Sequence, residues 1–256
     1  MNSYDFQDLN DFYIDKVWIP SSAMFYDGIL LEDKIEGYQT LSVNGREMLS
    51  LDVQTDNVLN GVLINSQRLN SRTLTIKYKL DCKTAEEVQE KYKLIMQLLY
   101  RNENVEIKFY DEAEWNYYGR YINSDEVDGS SNSIVSSFSI LCESPFKYTK
   151  EHTSKGLIAS QDYFRLVPTR FTVVTNQVNE ISITNGRETV KISGKPFSKG
   201  DILVFDFLQG IVFLNGENQT KLLDLTSDFK NFTLRNKDSV TCTGGTLEIN
   251  YKGVSL

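Results

Sequence analysis

Arg72-Thr73-Leu74-Thr75-Ile76-Lys77-Tyr78-Lys79-Leu80 puts Leu74, Ile76, Tyr78 and Leu80 on one parity and Thr or Lys on the other. Period-two alternation of this kind marks a strand with one face in a core. A helix follows at once. Thr84 and Glu87 form a capping box, and Val88, Tyr92, Ile95 and Leu99 make one apolar stripe, with Asn102 as the expected stop. Residues 105–110 then alternate Val105, Ile107 and Phe109 with Glu106 and Lys108, ahead of an acidic turn and the aromatic segment 115–121. The run closes on Cys142-Glu143-Ser144-Pro145-Phe146-Lys147-Tyr148. The pattern predicts a two-layer unit of sheet and helix.

Working outward, the composition changes near residue 150. Twelve of the fourteen Tyr and both Trp lie at or before Tyr148, whereas eight of the fourteen Phe lie after it. This shift predicts two domains, residues 1–150 and 151–256, each with apolar content enough for a core. Before Arg72 the chain reads as mostly β, and Val43-Asn44-Gly45-Arg46 and Leu59-Asn60-Gly61-Val62 both carry the signal of a tight hairpin turn. Residues 1–15 mix Asp5, Asp8, Asp11 and Asp15 with Tyr4, Phe6, Phe12 and Tyr13, which suits either a docking arm or a frayed terminus.

Residues 149–160 are polar and read as a linker or first exposed loop. Beyond them only strands and turns are legible. Ile181 and Ile183 face Val190 and Ile192 across Asn185-Gly186, and Ile202, Val204, Ile211 and Phe213 are expected to face a core across Gln209-Gly210. Another turn begins at Leu214-Asn215-Gly216-Glu217. Regular short strands without a helical period predict an all-β sandwich of jelly-roll or related type.

Chemistry is sparse. The net charge of −8 opposes a protein that coats nucleic acid, and no run approaches a membrane span of ~20 apolar residues. The absence of a signal-peptide pattern predicts synthesis in the cytoplasm. Cys82, Cys142 and Cys242 are widely spaced and read as reduced thiols, not metal ligands. The single histidine, His152, reads as a solvated loop residue, so a nucleophilic triad has no base. Carboxylates cluster at Asp111, Glu112 and Glu114 and at Asp125, Glu126 and Asp128, both in expected turns open to solvent. No phosphate-binding glycine loop is present. No catalytic, cofactor or metal residue is therefore assigned, and an enzyme is not expected.

Several segments together resemble the distal tail protein family of long-tailed, non-contractile phages of Gram-positive bacteria. They are Phe25-Tyr26-Asp27-Gly28, the Arg72 strand, the helix from Thr84, Phe109-Tyr110-Asp111-Glu112, Tyr117-Tyr118-Gly119-Arg120, Phe138 and Pro145-Phe146-Lys147-Tyr148. In the second half they are Gly200-Asp201-Ile202-Leu203-Val204, Asn215-Gly216 and Ser227-Asp228-Phe229. Their order and spacing carry the likeness. The pair Glu143-Ser144 before Pro145 and the acidic segment 1–15 depart from the family pattern.

The resemblance implies an α+β, tail-tube-like N-terminal domain that builds a hexameric ring, followed by a galectin-like β-sandwich. It further implies a structural hub at the distal end of a virion tail, joining the tail-tube protein to a tail-associated lysin or adhesin and to baseplate or receptor-binding proteins. DNA would only pass through the lumen, and no membrane is involved. Trp115, Tyr117, Tyr118, Arg120, Pro145, Phe146 and Tyr148 are the candidate subunit or partner contacts, since Tyr and Trp are enriched at interfaces. Segment 115–121 suits a core equally well. The alternative from another class is a carbohydrate-binding adhesin module. Its stacking platforms in the second half are limited to Tyr163 and Tyr251.

Overall fold

The computed structural model describes residues 19–127, 131–160 and 163–256; segment 1–15 and Asp128 lie outside these. To Cys142 the chain runs β1 (Met24–Tyr26), β2 (Ile29–Leu30), the short helix α1 (Leu31–Lys34), β3 (Tyr38–Asn44), β4 (Leu51–Asn57) and β5 (Val62–Leu69). It continues with β6 (Arg72–Asp81), helix α2 (Ala85–Leu99), β7 (Val105–Phe109), β8 (Trp115–Ser124) and β9 (Ser133–Cys142). Then come β10 (Lys147–Thr149), β11 (His152–Ser154), β12 (Arg165–Thr175), β13 (Ile181–Thr184), β14 (Thr189–Ile192), β15 (Ile202–Asp206) and β16 (Ile211–Leu214). Short β17 (Glu217–Asn218), β18 (Thr241–Thr243) and the long β19 (Gly245–Ser255) complete a mainly β fold. Two compact units form. The first holds the described residues to Glu47 with Thr73–Ala113 and Gly119–Leu141; the second holds Met48–Arg72, Glu114–Tyr118 and Cys142–Leu256.

In the first unit, β6 lies between β3 and β9. Its alternation is realised: Leu74, Ile76, Tyr78 and Leu80 are buried, and the Tyr78 ring meets Tyr38 at 5.4 Å and Phe138 at 5.7 Å. The capping box holds α2. Thr84 Oγ1 accepts the Glu87 N–H at 3.2 Å, and the Glu87 carboxylate accepts the Lys83 N–H at 2.6 Å. The buried stripe is Val88, Ile95, Leu98 and Leu99, with Tyr92 half-buried. The helix ends at Leu99, before Asn102, because Tyr100 turns extended. One of its last carbonyls, that of Leu99, accepts the Tyr26 hydroxyl at 2.9 Å, which satisfies an end group and ties α2 to β1.

Asn44-Gly45 is not the expected hairpin turn. β3 pairs with β6, not with β4. Gly45 has φ +92°, and a Cβ there would stand 2.0 Å from the Thr73 carbonyl oxygen, so the glycine serves close backbone approach. The second turn signal holds, as Leu59-Asn60-Gly61 joins β4 to β5 with Asn57 opposite Val62.

The second unit is a sandwich. One sheet runs β17-β16-β15-β12-β19, continued by β10 beside β19, with β11 also on β19; the other is β14-β13-β18. Both feed one core that includes Phe171, Val173, Leu203, Phe205, Val212 and Ile249 from the first sheet and Ile181, Ile183, Val190 and Ile192 from the second. The β13–β14 hairpin has the expected register, Ile181 opposite Ile192 and Ile183 opposite Val190. Asn215 and Gly216 both have positive φ, the geometry of a tight hairpin turn between β16 and β17.

Two expectations are corrected here. In the β15–β16 hairpin the buried face is Leu203, Phe205, Val212 and Leu214, while Ile202 is exposed and Val204, Ile211 and Phe213 are half-buried. Both parities are apolar, so alternation cannot choose the face, and a one-residue shift exchanges them. Segment 149–160 is no linker. β11 pairs with β19, and Ile158 is fully buried in the core.

The facing makes a direct comparison possible. Leu203→Ala is expected to cost about 2–5 kcal/mol of stability, whereas Ile202→Ala should stay within about 1 kcal/mol. Urea unfolding of the two variants measures the difference; equal losses would contradict the assignment.

Candidate functional site

Arg72 opens β6 with its side chain only 1% exposed. A desolvated guanidinium is costly unless it is hydrogen-bonded. Its Nε donates to the Pro145 carbonyl at 2.9 Å, and its Cζ lies 5.6 Å from the centroid of the Tyr117 ring. The bond fixes where the Cys142–Phe146 segment passes. From there β10 enters between β8 and β19, with Tyr148 opposite both Asn116 and Val254.

This placement gathers a strip of rings and cations in the second unit. Tyr118 and Tyr148 meet edge-on at 5.8 Å, and the Tyr148 hydroxyl is 3.0 Å from Ser144 Oγ. Lys252 Nζ lies 5.2 Å from the Tyr118 ring centroid and donates to its hydroxyl at 3.1 Å. Lys147 Nζ is 5.4 Å from the Trp115 ring, which stands edge-on to Tyr163 at 5.7 Å. Phe146 is stacked with Phe164 at 6.0 Å and carries the Arg165 guanidinium at 4.4 Å. At partly exposed sites each such cation–ring contact contributes about 0.5–1 kcal/mol.

Of the residues singled out from sequence, Trp115, Tyr118, Pro145, Phe146 and Tyr148 thus come together and are half-buried. Tyr117 is fully buried beneath Arg72 and follows the core alternative. Arg120 belongs to the first unit, where its guanidinium donates to the Asn102 carbonyl at 3.3 Å. Sequence reasoning missed Arg72, Lys147, Phe164, Arg165 and Lys252 as members. A signal was available: Phe146-Lys147, Phe164-Arg165 and Tyr251-Lys252 each set a ring beside a cation. In each case the cation serves a ring distant in sequence: Lys147 reaches Trp115, Arg165 reaches Phe146 and Lys252 reaches Tyr118.

His152 is corrected. It is no solvated loop residue but part of β11, opposite Tyr251, with its ring 5.5 Å from Tyr251 and 6.3 Å from Tyr163. It lines a cavity of about 510 Å³ with Leu157, Tyr163, Asn236 and Lys237. Tyr251 is buried and donates its hydroxyl to the Ala159 carbonyl, so it offers no open stacking face to a sugar.

Asp111 is paired bidentately with Arg46 at 2.7 and 3.1 Å, and Arg46 also lies over the Phe109 ring. Among the described residues no group of His, Cys, Asp or Glu could hold a metal ion. Burial pushes the Cys142 thiol up to about 12, with Arg72 pulling the other way, and burial pushes the Cys242 thiol up to about 11. Both stay protonated and unreactive at neutral pH. The strip consists of amphipathic rings and cations, residue types enriched at protein interfaces.

Residues 162–253 match the family described as siphovirus-type tail component, C-terminal domain. The chain is 27% identical over 245 residues to the distal tail protein of Bacillus phage SPP1, covering 90% of each. Its fold is similar to the crystal structure of SPP1 Dit, a hub adsorption apparatus paradigm in phages infecting Gram-positive bacteria. That match has a TM-score of 0.77 and 21% identity, covering 91% of this chain and 99% of that one. A chain of the phage P2 baseplate in its activated conformation matches with a TM-score of 0.50 and 6% identity, covering 86% and 91%. The resemblance read from the sequence is borne out, and so is the mainly β fold class.

Two outcomes test the geometry. Arg72→Met is expected to lower stability by about 2–3 kcal/mol in urea unfolding, since the Pro145 carbonyl loses its buried donor. Thiol titration at pH 8 should leave Cys142 unmodified until denaturant is added; rapid labelling of the native protein would contradict its burial.

Proposed function

Since the chain resembles distal tail proteins along nine-tenths of its length, we propose that it is a structural hub component of a phage tail tip and not an enzyme. The observation that carries this reading is the coincidence of sequence and fold likeness over nearly the whole of both chains. In this reading residues 1–150 close a hexameric ring by head-to-tail contacts, and residues 151–256 form a galectin-like sandwich that serves as a docking module. Heterologous contacts close into rings when the rotation permits, and closure covers strand edges that otherwise invite aggregation.

The ring would sit at the distal end of the virion tail. The tail-tube protein would lie on one side and a tail-associated lysin or adhesin on the other, with baseplate or receptor-binding proteins around it. The surplus of acidic residues, net −8, suits a lumen through which DNA slides without being gripped. Trp115, Tyr118, Pro145, Phe146 and Tyr148 offer the ring-and-cation surface for a neighbouring protein, in line with the enrichment of Tyr, Trp and Arg at interface hot spots.

Light scattering and negative-stain imaging of the purified protein, alone and mixed with the tail-tube protein, test this. Six-fold rings are the expected result. A strict monomer from micromolar to near-millimolar concentration, with no ring on mixing, would overturn it.

A further inference from the structure

Helix α1 and the start of β3 line a further cavity of about 520 Å³, which lies within the first unit. The burial pattern of the helix builds it. Leu31 and Ile35 enter the core and Glu32 is buried with them, while Asp33, Lys34 and Glu36 stay exposed. The turn that follows is held to the end of β6, where the Asp81 N–H donates to the Gly37 carbonyl at 2.9 Å. Glu32, Asp33, Glu36 and Asp81 thus share one cavity, with Lys34 as the only cation in its lining.

These charges do not neutralise one another. Asp81 is paired with Lys79 at 2.7 Å, but among the described residues Glu32, Asp33, Glu36 and Lys34 have no ion-pair partner. Glu32 is the decisive residue. It is 8% exposed; its Oε1 accepts the Thr40 N–H at 3.0 Å, and its Oε2 is buried with no hydrogen-bond partner among the described residues. The hydroxyls of Tyr38 and Thr40 are buried and unpartnered as well. A buried carboxylate oxygen left without a donor is more costly than a neutral group in the same position.

The geometry selects among cations. Glu32 has one oxygen already engaged, so the parallel two-point grip of a guanidinium on a carboxylate cannot form. A compact ammonium carries three N–H donors that can go to oxygens of separate side chains. Among the described residues no group of His, Cys, Asp or Glu could hold a metal ion. We propose that the α1–β3 cavity is a binding site for an alkylammonium group, the lysine side chain of a neighbouring polypeptide. Glu32 Oε2 is its buried acceptor, and the exposed Asp33 and Glu36 steer the cation in. This rests on the hub reading only in that a hub has neighbours.

Amide chemical shifts of the isotope-labelled full chain, titrated with Nα-acetyl-lysine N-methylamide, give the first measurement. Saturable shifts at Gly37 and Gln39 are expected, and none with the same compound acetylated at Nε. Glu32→Gln keeps the acceptor for the Thr40 N–H, so its urea midpoint should equal that of the parent while affinity for the lysine compound falls by roughly tenfold or more. If that variant does not fold, Asp33→Asn with Glu36→Gln, both at exposed positions, is expected to weaken binding by roughly threefold. The inference is lost if no saturable shift appears up to the solubility limit, if the acetylated compound shifts the same amides, or if folded variants bind as the parent does. None of these results depends on ring formation, so the hub reading and this inference fail separately.

Carbodiimide treatment of the assembled tail tip tests the source of the amine, since it joins a carboxylate to an amine as an amide and the carbodiimide leaves as its urea. Peptides that link Asp33 or Glu36 to a lysine of another polypeptide are expected. Lysine binding to the isolated chain with no such peptide in the assembly would rule out a protein-borne occupant.

Discussion

A charge that is nearly out of water must have its partners in place, and Arg72 is such a charge. Its bond to the Pro145 carbonyl dictates the path of the chain after Cys142. That path delivers β10 between β8 and β19, and with it the rings of Phe146 and Tyr148. Tyr117, packed under the same guanidinium, fixes the start of β8 and so the positions of Trp115 and Tyr118. The strip of rings and cations is in this sense a consequence of one buried cation.

Much of the fold was legible because single-face patterns leave no choice. β6 has apolar residues on one parity only, the capping box at Thr84 marks a helix start by its own hydrogen bonds, and the Ile181–Ile192 hairpin is symmetric about Asn185-Gly186. Where the pattern is degenerate it misleads. β15 and β16 are apolar on both parities, and only the opposing sheet decides that Leu203 and Phe205 go inward. Gly45 looks like a turn residue but answers to the Thr73 carbonyl, a partner far away in sequence. His152 is set in polar sequence, yet β19 recruits it as a strand.

The candidate site was legible in its rings and not in its cations. Trp115, Tyr118, Phe146 and Tyr148 stand out by residue type alone. Which lysine or arginine covers each depends on strand pairing: Lys252 reaches Tyr118 only because β19 adjoins β10. Other charges have structural employment. The Arg187–Asp238 pair holds the Asp238 carboxyl below its usual range and anchors the loop before β18, and Asp206 accepts the Leu208 and Gln209 N–H groups to close the β15–β16 turn. Polar residues here are spent on shape.

The long pairing of β12 with β19 runs from Arg165 opposite Val254 to Thr175 opposite Gly245, interrupted by a single irregularity near Pro168. A tension applied along these strands is borne by the whole ladder at once, because no bond can break before its neighbours are sheared with it. A load that pulls the β4–β5 tip sideways is met one rung at a time, from Asn57–Val62 toward Leu51–Leu69. By pairing geometry alone, the β12–β19 ladder shares a load along its strands while the β4–β5 hairpin opens rung by rung.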